Sequence, residues 1–191
     1  AFNHAARTER PTTMLIRTVM VRGSCRALVG DAAGAEADLS QTEALVAELM
    51  GAEHEDMADV LVFRSFAARC AGDLGASRNE ALRAMDLFKA IPGAARTQSI
   101  AAQREAAFAL ASDSDPQVAL RGAEECAVLV EELMTLYQPR HPIIGRSLVH
   151  RAEALLTAGR REAAAEVASK AADILADPSG LVEWWSLYAT L

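Results

Sequence analysis

A chain of 191 residues is long enough for one domain with a substantial core and short for two. Apolar residues make up 51% of it and aromatics only 5%, with alanine supplying much of the apolar count, so packed helices are expected and sheet is not. The net charge of −7 divides into +4 over residues 1–26, −11 over 27–138 and zero over 139–191; an acidic middle excludes a protein that wraps nucleic acid along a continuous basic face.

After an N-terminal extension at 1–11, Pro11-Thr12-Thr13 is expected to open a first helix running to about Val29. Gly30-Asp31-Ala32-Ala33-Gly34 turns the chain, and a return helix runs from about Ala35 to Met50, closed by Gly51. A second pair falls at about 55–71 and 77–90, turned at Gly72-Asp73-Leu74-Gly75 and ended by Ile91-Pro92-Gly93, since proline cannot continue a helix and glycine caps one. A third pair, about 95–111 and 116–137, is broken at Ser112-Asp113-Ser114-Asp115-Pro116, an N-cap oxygen followed by proline at the first helical position. The fourth pair, about 142–157 and 160–176, is opened by His141-Pro142, turned at Ala158-Gly159-Arg160 and closed by Asp177-Pro178, and a last helix starts near Leu181.

The breaks recur about 42 to 45 residues apart, within the range of helical-hairpin solenoids. Apolar spacing supports the helices. Ala119, Ala123, Cys126, Val130 and Leu133 form one stripe; Ile144, Leu148, Ala152 and Leu155 form another; Ala164, Val167, Ala171 and Ile174 form a third. The repeats are therefore placed at 12–51, 55–93, 95–138 and 141–178 of a helical domain spanning 12–191, with a terminal helix at 181–191.

Cys25, Cys70 and Cys126 are far apart and lack a C-x-x-C, which fits free thiols in a reducing, intracellular compartment, cytoplasmic or an organelle matrix. No apolar run is long enough to span a membrane, and no secretory signal is visible. The chain does not begin with methionine, which suggests a processed protein or an excerpt of a longer one. The Arg residues of 1–26 read as a solvated helix face, or as a contact for an acidic partner.

The segment from His141 to Ile174 resembles a tetratricopeptide repeat. Ala152 stands at the small position of the first helix, Gly159 at the turn, and Ala164 and Ala171 at the small positions of the second helix; Gly23, Gly30 and Ala35 keep the same offsets in the first repeat. The longer period and the His-Pro opening are similar to kinesin-light-chain repeats. Tyr137-Gln138-Pro139-Arg140-His141-Pro142 is also similar to the lead-in of such a hairpin in the C-terminal helical domain of SET-and-MYND methyltransferases. The resemblance implies an all-α fold, a right-handed α-solenoid of about four antiparallel hairpins plus a terminal helix. It implies a non-enzymatic scaffold or adaptor for other proteins, within a hetero-oligomeric complex. The alternative is a helical domain excerpted from a larger enzyme or regulator.

No catalytic, cofactor or metal set is expected. Asp113, Asp115, Gln117 and Glu124 fall at calcium-loop spacings, but Val118 stands where the loop needs glycine. His54-Glu55 lacks the second histidine of a zinc protease motif, and Ser24-Cys25 has no base nearby. His141 reads as a residue that opens a helix. Partner-binding residues are expected in two places. Trp184, Trp185 and Tyr188 crowd the last helix, where adjacent tryptophans cannot both face one core. Some tetratricopeptide proteins grip a C-terminal carboxylate with basic residues on their first helices; the matching positions here are Arg17, Met20 and Ser24, then Asp59, Val62, Phe66 and Arg69, then Glu105. That set is mixed and partly acidic, so a carboxylate clamp is not expected.

Overall fold

The computed structural model describes residues 2–91 and 96–176, with side chains from residue 13 onward. Among them are eight α-helices and no strand: α1 (Phe2–Leu28), α2 (Ala32–Leu49), α3 (Glu55–Cys70), α4 (Leu74–Ala90), α5 (Arg96–Ala111), α6 (Pro116–Leu136), α7 (Pro142–Thr157) and α8 (Arg161–Leu175). The helix order is the expected one. Three boundaries differ: α1 runs back through Pro11 to Phe2, although Pro11 was expected to open it, and α2 and α4 start three residues earlier than expected, at Ala32 and Leu74, where Asp31 and Asp73 cap them. Proline removes one ladder hydrogen bond without forbidding a helix on either side. The segments at 92–95 and 177–191, including the expected terminal helix, lie outside the described residues.

Two compact units are distinguished, Ala1–Ala106 and Ala107–Leu191, with the boundary inside α5. In the first, Ile16 and Met20 of α1, Leu39 and Val46 of α2, and Met57 and Val60 of α3 form one cluster; Ala58, Leu61 and Val62 of α3, Ala84 and Phe88 of α4, and Ala102 of α5 form a second. In the second unit, Cys126, Leu129 and Leu133 of α6, Ile144 and Leu148 of α7, and Val167 of α8 are buried.

One turn is used three times. In the first hairpin Gly30, at φ 84°, donates to the Ala27 carbonyl, and Asp31 donates to the Arg26 carbonyl. Gly72 and Asp73 repeat the bonds to Arg69 and Ala68; Gly159 and Arg160 repeat them to Leu156 and Leu155. The left-handed conformation at Gly30, Gly72 and Gly159 is what glycine supplies at a helix C-terminus. Asp31 and Asp73 then accept the amides of Gly34 and Ala76, each at 2.9 Å, and so cap α2 and α4. The third hairpin lacks the glycine. There Asp113 accepts the Asp115 amide at 2.8 Å, and Asp115 caps α6 through the amides of Gln117 and Val118.

Small residues line the hairpin contacts in all four repeats. Gly23, Ser65, Ala107 and Ala152 occupy corresponding places in the first helices, and Ala35, Ser77, Ala119 and Ala164 in the second; all are buried. Ala171 is also buried. Helices also pack closely at Gly122, where an added Cβ would collide with the backbone of Ala111, and at Gly145, where it would come 2.7 Å from Leu175.

Charged pairs bind the hairpins of the first unit. Arg22 holds buried Asp38 through two hydrogen bonds of 2.8 and 2.7 Å, and Arg26 adds a contact at 3.3 Å. The Arg22 bond, with the charge of both arginines, keeps the Asp38 carboxyl below the usual carboxylate range against the effect of its burial. Arg64 of α3 reaches Glu36 and Glu43 of α2 at 3.0 and 3.2 Å and Glu80 of α4 at 3.8 Å.

Candidate functional site

The face formed by α1, α3 and the 96–106 part of α5 carries the most varied chemistry of the first unit. At its α1 end, Asp59 is half-buried and accepts a hydrogen bond from Gln98 Nε2 at 3.3 Å. Burial pushes its carboxyl up to about 6, and repulsion from Asp56 adds to the rise; the Gln98 bond and the positive charge of Arg17 pull the other way. Asp56 is buried beside His54, whose Nδ1 accepts the Asp56 amide at 3.2 Å and caps α3.

At the other end Glu105, only 2% exposed, is clamped between two guanidinium groups. Arg69 donates to Oε2 from Nε and Nη2 at 3.2 and 3.0 Å, and Arg104 donates to Oε1 at 3.3 and 3.2 Å. The Arg69 guanidinium also lies 5.3 Å from the ring centre of Phe66, within cation–π range. The clamp fixes Arg69, so the half-buried Phe66 ring is presented on a rigid edge.

Of the residues expected at a binding face, Phe66 and Arg69 are brought together, and Arg17 stands near Asp59. Met20 is not on the face. It is 3% exposed within the α1–α2–α3 core, because a position one turn from Ile16 and Gly23 points inward. Ser24 donates to the Met20 carbonyl at 3.1 Å. Trp184, Trp185 and Tyr188 lie outside the described residues. Sequence reasoning missed Gln98 and Arg104. Arg104 was within reach, since it follows Met20 and Val62 at the same repeat spacing.

Other candidate motifs are structural. His141 caps α7, with Nδ1 accepting the Ile143 amide at 3.2 Å, and its ring packs 4.4 Å from that of Tyr137 at the end of α6. The Tyr-x-Pro-x-His-Pro segment is thus the link between those helices. An open groove of about 710 Å³ lies between α2 and α4, lined by Ala44, Ala47, Met57, Leu61, Leu87 and Ala90. Its charged rim is internally paired, Glu43 to Arg64 and Arg83 to Glu80. Among the described residues no group of three or more His, Cys, Asp or Glu is placed to hold a metal ion, and no helix is long and apolar enough to cross a membrane.

The fold has clear relatives among solved structures. A single-substitution form of a Podosopora anserina protein, described as a kinesin light chain with nearly identical TPR-like repeats, superposes with a TM-score of 0.65 at 19% identity, covering 87% of this chain and 80% of that one. The chain has a TPR-like repeat fold. The parent form of that protein matches with a TM-score of 0.48 at 16% identity, covering 84% of this chain and 95% of that one. No family model matches the sequence, and no curated protein matches it significantly. At these identities the likeness concerns the fold alone, and the TPR-like chain must be read from its own surface for anything further.

Proposed function

We propose that the chain is a non-enzymatic protein-interaction scaffold, a subunit or adaptor of a larger assembly, and that the α1–α3–α5 face of its first unit receives a segment of another protein. The observation that carries this reading is the Arg69 clamp beside Phe66. A buried carboxylate held by two arginines costs desolvation and contributes little net stability, so such groups serve better to fix geometry than to hold a fold together. Here the geometry fixed is an aromatic edge with a cation over it. At the other end of the face, a carboxyl pushed up to about 6 is one that a positive charge would relieve. The segment that fits carries an apolar side chain for Phe66 and a basic side chain for Asp59. The Trp184, Trp185 and Tyr188 segment is a second attachment point in this reading, since a pair of tryptophans is large enough to anchor an interface.

The test is retention of partners by affinity purification of Phe66→Ala, Asp59→Arg and Trp184→Ala variants, each checked for folding by circular dichroism. Phe66→Ala and Asp59→Arg are expected to lose the same partners, and Trp184→Ala a subset or a different set. If every folded variant keeps the full set of wild-type partners, the reading fails.

A further inference from the structure

The outer face of α1 is apolar where a surface helix should be polar. Met14, Thr18, Val21, Cys25 and Leu28 follow a 4-3-4-3 spacing, a single stripe diametrically opposite the buried Ile16, Val19, Gly23 and Ala27. Leu15 and Val29 widen it on one side. The five large apolar residues of this face, Met14, Leu15, Val21, Leu28 and Val29, are between 46% and 82% exposed. A helix that buries one face and bares an equally apolar second one is built to be covered on both.

We propose that this stripe pairs with the same stripe of a second copy of the chain, the two α1 helices crossing antiparallel near Val21. The stripe is nearly symmetric about that residue: a large side chain at each end (Met14, Leu28), a small polar or thiol group between (Thr18, Cys25), and valine in the middle. An antiparallel crossing therefore sets Val21 beside its copy and the Met14 end of one helix over the Leu28 end of the other, as an isologous two-fold contact requires.

The charges permit it. Arg22, which borders the stripe, is matched inside its own copy by two hydrogen bonds to Asp38, and Arg26 by Asp38 and Asp31. Arg17, on the other border, comes opposite Ser24 and Cys25 of the second copy, neither of them charged. No unmatched like charges meet, and no acidic side chain stands on the 13–30 stretch to demand a basic partner. The area fits a weak pair. Five side chains burying roughly 100 Å² each give on the order of 500 Å² per copy, about 1,000 Å² in all, at the low edge of specific interfaces.

Sedimentation equilibrium of the whole chain tests this. Wild type is expected to pass from monomer to dimer in the range of roughly 10–100 μM, with little dependence on salt. Val21→Glu and Leu28→Glu, both at exposed positions, are each expected to remain monomeric while keeping wild-type helicity by circular dichroism. Val149→Glu, an exposed apolar position on α7, is expected to dimerise normally. A wild type that stays monomeric to about 500 μM overturns the proposal, and so does a dimer that Val149→Glu dissociates and Val21→Glu does not. A monomeric wild type whose Val21→Glu variant loses a different protein on affinity purification assigns the stripe to that protein instead, which also overturns it.

Discussion

Arg160 holds the backbone conformation of Asp31 and none of its side-chain chemistry. Both residues stand at the N-cap after a left-handed glycine, at φ −91°, ψ 64° for Arg160 and φ −80°, ψ 71° for Asp31. Asp31 caps its helix through the Gly34 amide, while Arg160 makes no side-chain cap bond. A cation there also faces the positive end of the α8 dipole. Arg160→Asp is therefore expected to stabilise the second unit by about 1 kcal/mol, read as a higher urea midpoint at an unchanged m-value. Asp31→Ala and Asp73→Ala should each lose a similar amount.

Gly122 should reverse the usual rule for glycine in a helix. In an open helix interior, Gly→Ala stabilises by about 1 kcal/mol. Here the new methyl would meet the Ala111 backbone, which cannot step aside as a side-chain tip can. Gly122→Ala is expected to destabilise by about 1–3 kcal/mol. Thermal melts giving an equal or higher Tm would show that α5 and α6 separate easily at this point.

Asp59 predicts a pH dependence with an unusual sign. Its carboxyl titrates near 6 when folded and at the ordinary 3.8 when unfolded, so between those values the folded chain binds the extra proton. Stability from this group is then present below pH about 4 and falls as pH rises through 6, by on the order of 1–2 kcal/mol after allowing for partial exposure. Asp59→Asn keeps an acceptor for Gln98 and removes the titration. The difference in unfolding free energy between wild type and Asp59→Asn should grow from pH 4 to pH 7 in favour of the variant.

The three cysteines should react in a fixed order. Cys25 is exposed on α1. Cys70 is exposed as a residue, but burial raises its thiol, with Arg69 opposing. Cys126 is buried, and burial pushes its thiol up to about 12. At pH 8 and a chain concentration of about 1 μM, below the range of the α1 pairing, a thiol reagent is expected to label Cys25 first and Cys70 next, and Cys126 only when the second unit opens. Fast labelling at Cys126 in native buffer would contradict the packing of α6.

The helices were legible because apolar spacing and turn glycines act locally. The same locality explains the misses. In the second hairpin the small positions are filled by Ser65 and Ser77, where the other hairpins have glycine or alanine. Only burial reveals that a serine is there for its size. On the candidate face, Asp59, Phe66, Arg69 and Glu105 are legible by repeat offset, but their side-chain partners are not. The Glu105 clamp joins residues 36 apart and the Asp59 bond residues 39 apart, pairings that the side-chain reach of neighbouring helices decides.

The Ser65–Ser77 contact has a consequence for how the hairpins find their own halves. These hydroxyls are fully buried and lie 3.1 Å apart, one donating to the other. In the other hairpins the matching pairs are glycine or alanine, which pack against any small neighbour equally well. Helices in an array of similar repeats can mispair during folding. If α3 closed against a second helix carrying Ala35, Ala119 or Ala164, the Ser65 hydroxyl would lose its Ser77 partner, a penalty of about 1–3 kcal/mol unless a backbone carbonyl takes the bond, and α4 would face the same loss elsewhere. The serine pair thus serves as a matching tag, giving the second hairpin an address that its neighbours lack.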